Sequence, residues 1–405
     1  MPYLLIVEEA LKNRNGHWYE YNRAIAAEAR KQGVTVTILA HKEIEAEIQI
    51  ELDALPFFPV TSWDQIYNHS VPFIRYIGIL RHNFLIARLL ENYFKKQNHI
   101  YDVVLVPTTV LYHWLAWRWL VHRGAGNWFR KVVLTTRNNA AEYDPSKGDY
   151  LFRGSARLLA KVLRSFRGPV ARGEVELASD SDRLAQQHSQ LGNVHFETYC
   201  HPREIDHMPV RPRALRQVTV FAALGPPRFE KGSDLILVAV ENLLRDQTDF
   251  PGRFVIQWNV EVYSPDGRQF VISQFLRSHP KVCFIQRALT TEEYQEYLDD
   301  ADWLLLPYRR EQYHARLSGI AIEAFQSGAS CICIADTWVE SCMKEIGKGI
   351  AMLDAKSDSL RVALIQAANA KDAAMDVDRI LQARQAHSSA QFVRKLGLSR
   401  TGSNH

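Results

Sequence analysis

Cysteine is scarce in this chain. There are five (Cys200, Cys283, Cys331, Cys333, Cys342) in 405 residues, an odd number without a C-x-x-C pair, which points to reduced thiols in a cytoplasmic compartment. An excess of either charge is lacking too: the formal net charge is +4, which excludes a strongly basic nucleic-acid binder but leaves room for a local basic patch that meets phosphate or an anionic membrane. No uninterrupted apolar run reaches the roughly 18 residues a membrane span needs. The opening MPYLLIVEEALK lacks a basic stretch and its apolar run is too short for a signal peptide. Among the fifteen histidines there is no H-E-x-x-H, and no G-x-S-x-G elbow occurs. The absence of G-x-G-x-x-G after YLLIV argues against a dinucleotide-dependent dehydrogenase.

What is present is a chain that can bury a large core, with 47% hydrophobic and 23% charged residues over a length that suggests two domains. YLLIV reads as a short buried strand, NRNGHWYEY as a polar and aromatic loop, RAIAAEARKQG as a helix ending at Gly33, and VTVTILA as the next strand. The alternation continues through YDVVLVP, HWLAWRWLVHRG, KVVLTTR, YLFRGSARLLAKVLRSFRG and VELAS. It breaks at HPREIDHMPVRPRALRQ, a proline- and charge-rich linker, and resumes from VTVFAAL to SCICIA. In SCICIA, Cys331 and Cys333 would point to one side of a buried strand. Such alternation predicts α/β architecture: two Rossmann-like domains facing a central cleft, residues 1–205 and 206–378, with a helix at about 379–400 packing back on the first.

Two stretches carry chemistry. In HARLSGIAIEAFQSGAS, residues 314–330, Ser318 is a good helix N-cap, with Leu317 and Ile322 at the staple positions. Gly319 lets a ligand approach the backbone, and the free amides around Ser318, Gly319 and Ile320 favour an anion such as phosphate. Glu323, one turn on, can accept hydrogen bonds from two vicinal hydroxyls, as a ribose presents. A capped helix with one solvent-edge charge would look the same in isolation. In AALGPPRFEKGSDLILVAVENLL, however, Arg228 and Lys231 stand in a strand-to-helix loop followed by Gly232, and two such cations suit a diphosphate.

The arrangement Gly225, Arg228, Lys231-Gly232, then Asp302, Pro307-Tyr308, Ser318-Gly319, Glu323-Ala324 and Gly328 resembles the donor half of retaining glycosyltransferases of family 4, which have the GT-B fold. The likeness is clearest over residues 218–340 and fainter through NGHWYEY and ASDSDRLAQQ. It implies transfer of a sugar from a nucleoside-diphosphate sugar to an acceptor hydroxyl with retention of configuration, as in polysaccharide or glycolipid biosynthesis. Glu323 would hold the ribose, Arg228 and Lys231 the diphosphate, and Gly16 would lie in the loop facing the reaction centre. The family's first glutamate falls on Ala315 here; Tyr313, His314 and Arg316 stand beside it as possible substitutes. A family histidine after KVVLTT appears as Arg137, followed by Asn138; Arg137 would contact donor or acceptor, and both are assigned to the acceptor. Gln286 and Arg287 flank the expected nucleobase pocket.

Other features have two readings. His17 and Trp18 either orient the acceptor or pack at an interface. In Asp180-Ser181-Asp182 helix capping outweighs a metal-binding D-x-D, so neither metal nor cofactor is expected. Arg153, Arg157, Lys161 and Arg164 share one helix face. That helix either buries its apolar stripe in the first domain or, with RYIGILRHNFLIARLLENYFKK, makes a peripheral contact on the inner membrane face. The rival functions are a catalytically inactive sugar-nucleotide-binding or scaffold protein, for which Ala315 is the argument, and another GT-B activity such as a sugar-nucleotide epimerase. The expected partners are a nucleotide sugar and a sugar, lipid-linked or small-molecule acceptor, without nucleic acid.

Overall fold

A computed structural model of the chain describes residues 1–14, 17–64, 72–152, 154–203, 217–370 and 376–398, without the side chains of His17, Pro72 and Ser155. The chain divides into two compact units: residues 143–149 with 205–386 form the second, and the remainder forms the first.

The first unit is built on seven strands: β1 (Tyr3–Val7), β2 (Thr35–His41), β3 (Ala54–Phe58), β4 (Tyr101–Val106), β5 (Phe129–Thr136), β6 (Val175–Ser179) and β7 (Glu197–Thr198). Their spatial order is β3-β2-β1-β4-β5-β6-β7, all parallel. Alternate residues feed two cores. Leu5, Val7, Val104, Val106 and Val132 join Trp114 and Trp117 of the helix Leu111–Gly124 on one face. Leu4, Ile6, Val103 and Leu105 join Ile25, Ala26 and Ala29 of the helix His17–Lys31 on the other. Burial on both faces is why these strands read as continuous apolar runs.

The second unit repeats the scheme with β8 (Thr219–Ala223), β9 (Gly252–Gln257), β10 (Val282–Ile285), β11 (Trp303–Leu306), β12 (Ser330–Ile334) and β13 (Gly349–Met352), ordered β10-β9-β8-β11-β12-β13 and parallel throughout. Cys331 and Cys333 share one core face with Ile322 and Phe325 of the helix Gly319–Gln326, and all five thiols are free. In each sheet the strand order reverses beside the first strand, between β1 and β4 and between β8 and β11. Open α/β sheets bind ligands at such points, beyond the carboxyl ends of the strands.

Two segments differ from the sequence reading. NRNGHWYEY is a loop only in part: the first helix already begins at His17, because Tyr19 and Tyr21 turn inward and are buried. The helix expected at 379–400 is two helices. Val377–Ala386 packs Ile380 and Ala383 into the second unit. Ser388 then caps a new helix, Ser389–Leu396, whose Phe392 and Val393 enter the core of the first.

Candidate functional site

The second unit's switch point is built from the loops that follow β8 and β11. After β8 the chain turns at Gly225, whose φ of +83° is open to glycine at little strain; an added Cβ would lie 2.8 Å from Ile320 Cδ1 and 3.6 Å from Lys231 Nζ. The Gly225 amide donates to Gln257 Oε1 at 2.7 Å, and Gln257 Nε2 donates to the Arg287 carbonyl at 3.2 Å, so one buried amide side chain ties two loops together. A single 3-10 turn, Phe229–Lys231, leads to Gly232, at φ +69°, where a Cβ would sit 2.2 Å from the Pro307 carbonyl oxygen. That contact presses the cation-bearing turn against the chain leaving β11.

Arg309 fixes the same turn from the other side. Its guanidinium donates to both carboxylate oxygens of Asp234, at 2.9 and 2.8 Å, and to the Phe229 carbonyl, and it lies 3.7 Å over the Phe229 ring. With the turn held, Arg228 is half exposed and Lys231 half-buried, the Lys231 ammonium 3.4 Å from the Pro226 carbonyl and 6.0 Å from the centre of the Tyr308 ring. Burial first, and then the positive charge of Arg228, pulls the Lys231 amine down to about 8; Arg316 adds to the pull while Glu230 and Glu323 oppose it. These groups are therefore electrostatic neighbours. A recess lined by Gly225, Lys231, Gln257, Trp258 and Tyr308 has room for little more than a water molecule, so a larger ligand would lie over its rim.

The helix Gly319–Gln326 completes the group. Ser318 Oγ accepts from the Ala321 amide at 3.3 Å, as an N-cap does, and Leu317 and Ile322 are buried at the staple positions. Glu323 accepts a short hydrogen bond from the Tyr294 hydroxyl, which orients its carboxylate. Ala315 is 1% exposed, a core position. Tyr313 is also core, 3% exposed and packed on Tyr308 with ring centres 4.4 Å apart; the guanidinium of Arg316 lies 5.4 Å from its ring. His314 stacks on Tyr143 at 3.6 Å, and both reach Asp336, at 3.4 and 3.2 Å. Gln286 is exposed, and the guanidinium of Arg287 is held by Glu293 through two hydrogen bonds of 2.6 and 2.5 Å. The structure thus gathers Arg228, Lys231, Arg316, Ser318, Gly319, Ile320 and Glu323. It leaves Tyr313 inside the core and the Arg287 guanidinium engaged by Glu293.

In the first unit Gly16 lies outside the described residues. His17 opens its helix, and Trp18 is partly buried, 6.1 Å from the Trp63 ring. Arg137 turns inward: it donates to Asp180 at 3.0 Å, pairs with His201 at 2.7 Å and lies 4.7 Å over the Tyr21 ring, while Asn138 is half-buried behind it. In the D-x-D, Ser181 caps the helix Asp182–Gly192 and Asp180 is the partner of Arg137. What sequence reasoning missed here stands directly after β1. Glu9 accepts from the Ser62 amide and lies 2.9 Å from His82 Nε2 and 3.1 Å from His113 Nε2, all three side chains buried. Burial raises the pKa of Glu9, but hydrogen bonds from His113 and His82 outweigh it and hold the carboxyl below its usual range. Glu8 beside it is pushed up to about 7 by burial.

Among the described residues Glu9, His82 and His113 are the one group whose ligand atoms lie within 4.8 Å of one another, as a metal site requires. His113 Nδ1, however, accepts from the Val110 amide at 3.3 Å, which leaves the proton on Nε2, the atom facing Glu9. A metal-binding imidazole needs that nitrogen free of its proton, so the arrangement fits a carboxylate hydrogen-bonded by its histidines.

No protein-family model matches the chain, and no curated protein matches it in sequence. Its backbone is similar to that of several solved structures. A single-residue mutant of TarM from S. aureus, in complex with fondaparinux, α-GlcNAc-glycerol and UDP, is 11% identical with a TM-score of 0.63, over 99% of this chain and 100% of that one. HepE of Anabaena, in complex with UDP and glucose, is 10% identical with a TM-score of 0.61, over 98% and 99%. A putative UDP-N-acetylglucosamine 2-epimerase of Listeria monocytogenes is 10% identical with a TM-score of 0.57, over 98% and 95%. At such identities the likeness gives the fold, two Rossmann-like units of GT-B type.

Proposed function

We propose that this GT-B protein is a glycosyltransferase that moves a sugar from a nucleoside-diphosphate sugar, with uridine as the base, to an acceptor hydroxyl with retention of configuration. The observation that carries the reading is the convergence of Arg228, Lys231 and Arg316 with Glu323 around the open N-terminus of one helix, at the switch point of the second unit. The cations and free amides suit a diphosphate, and the Glu323 carboxylate suits the two ribose hydroxyls. Uridine is favoured because UDP is the nucleotide named with TarM and HepE.

Chemically, the cations stabilise the charge that grows on the departing diphosphate, so the sugar carbon can develop oxocarbenium character without a metal ion. The leaving phosphate helps take the acceptor proton, which gives front-face retention. Residues of the first unit would hold the acceptor. Tyr143, His314 and Arg316 would take over the contacts to the transferred sugar that the family's first glutamate makes, since Ala315 is buried. No helix among the described residues is long and apolar enough to cross a membrane, and with five free thiols we place the protein in the cytoplasm.

The test is turnover: UDP release from a panel of UDP sugars in the presence of acceptor extracts, with and without a chelator, followed by the anomeric configuration of the product. Chelator-insensitive release and a retained configuration support the whole reading; inversion would remove the mechanism and keep the donor site. The second reading, a sugar-nucleotide-binding protein without transferase activity, draws on Ala315 and predicts UDP binding without acceptor-dependent release. An epimerase, as in the Listeria protein, would interconvert the UDP sugar with no acceptor at all.

A further inference from the structure

The helix Pro72–Phe94 of the first unit leaves one face bare. Phe73 is 71% exposed, Ile77 50%, Leu80 59% and Phe84 63%. Spacings of four, three and four residues line these side chains along one side of the helix over about 17 Å. Residues one step round the helix, Ile79, His82, Asn83 and Ile86, are buried in the unit, so the apolar line faces away from the core. Large exposed apolar side chains occur singly on any soluble protein; four in register on one helix mark a docking surface.

The charges on this face choose the occupant. Arg81 and Arg88, both exposed, flank the apolar line, whereas Arg75 falls on the opposite side of the helix; the helix's one carboxylate, Glu91, is paired with Lys95 and Arg123. A second copy seated on the same face would set Arg81 and Arg88 against their own equivalents, and Glu91 is already engaged by Lys95 and Arg123. An anionic lipid surface answers both features, since long arginine side chains reach phosphate headgroups while the apolar line sinks into the acyl boundary. The basic amphipathic helix Gly154–Arg164 does not share this role: its Val162 and Leu163 are buried in the first core. The helix itself lies at the carboxyl ends of the strands, since its buried His82 reaches Glu9 directly after β1 at 2.9 Å.

We infer that the Phe73–Phe84 face docks the protein on an anionic bilayer, with the arginines on headgroup phosphates and the four apolar side chains below them. Docking is independent of the transferase reading, and it is read without turnover. The experiment is flotation of the full chain with vesicles of phosphatidylcholine alone and with about 30% phosphatidylglycerol. It compares the parent with Leu80→Ser/Phe84→Ser and with Arg81→Gln/Arg88→Gln, after circular dichroism has shown both variants folded. The parent should bind the anionic vesicles at least tenfold better than the neutral ones, less so at high salt, and each variant should lose about tenfold. Failure of the parent to bind anionic vesicles overturns the inference, as does undiminished binding by the serine variant. A parent that dimerises by ultracentrifugation, with the serine variant monomeric and neither floating, assigns the face to self-association and overturns it too.

Discussion

Raising the pH through 8 should weaken UDP binding by about tenfold per unit, and Lys231 is the reason. Its amine sits at about 8 instead of 10.5, first because it is buried and then because Arg228 stands beside it. A shift of that size corresponds to on the order of 3 kcal/mol of penalty on the ammonium. A bound diphosphate needs the ammonium, so above pH 8 binding must take up one proton. Free-protein stability should move the other way: between about 8 and 10.5 the unfolded chain holds a proton that the folded chain has lost, so folding gains with rising pH. Hydrogen bonds to charged groups contribute about 1.5–3 kcal/mol, so Lys231→Gln should bind UDP about 10- to 150-fold more weakly at pH 7. It should also show a flat profile from pH 7 to 9.5. Calorimetric titration of parent and variant across that range is the assay. A parent profile that stays flat, or a variant profile with the same slope, refutes the role given to Lys231.

Four further outcomes follow from the same geometry. Gly232→Ala would put a Cβ 2.2 Å from the Pro307 carbonyl at a positive φ; it should cost about 2 kcal/mol or more in denaturant unfolding and displace the cation turn. Arg309→Lys keeps the charge but loses the two-pronged grip on Asp234, 7% exposed, and the stacking on Phe229; about 3 kcal/mol of stability should go, with UDP affinity falling alongside. Tyr294→Phe should leave the fold intact and weaken UDP binding roughly tenfold by freeing the Glu323 carboxylate. Glu8 has its folded pKa raised from 4.5 to about 7, so its stabilising contribution is complete below 4.5 and is lost as pH rises through 7. Glu8→Gln should therefore be more stable than the parent above pH 7, by up to about 3 kcal/mol, and gain nothing at pH 4.

Local punctuation made the proposed donor site legible as a cluster. The glycines and serine of Gly225, Gly232 and Ser318-Gly319 mark turns and a helix start whatever surrounds them, and the residues they present are those the structure gathers. The supports were not legible, because parallel crossovers bring them from afar: Gln257 lies 32 residues from the Gly225 amide it holds, Arg309 lies 75 from Asp234, and Tyr143 pairs with Asp336 across 193. The same distance hid the inward turn of Arg137, whose partner Asp180 is 43 residues away and which had looked like a ligand contact. Two-sided burial made the strands plain as apolar runs. In the 72–94 segment the 73-77-80-84 spacing was present in the sequence, but only packing shows which face the core leaves uncovered.

The most direct test of the donor site is thermal unfolding of the parent and of Glu323→Gln with saturating UDP, GDP and ADP. A ligand at a hundred times its dissociation constant adds roughly 2.7 kcal/mol to stability. The account predicts that UDP stabilises the parent, that the other two do so less, and that the variant loses most of the effect. Equal stabilisation of parent and variant would contradict the ribose role of Glu323, and no stabilisation of either would contradict the donor site itself.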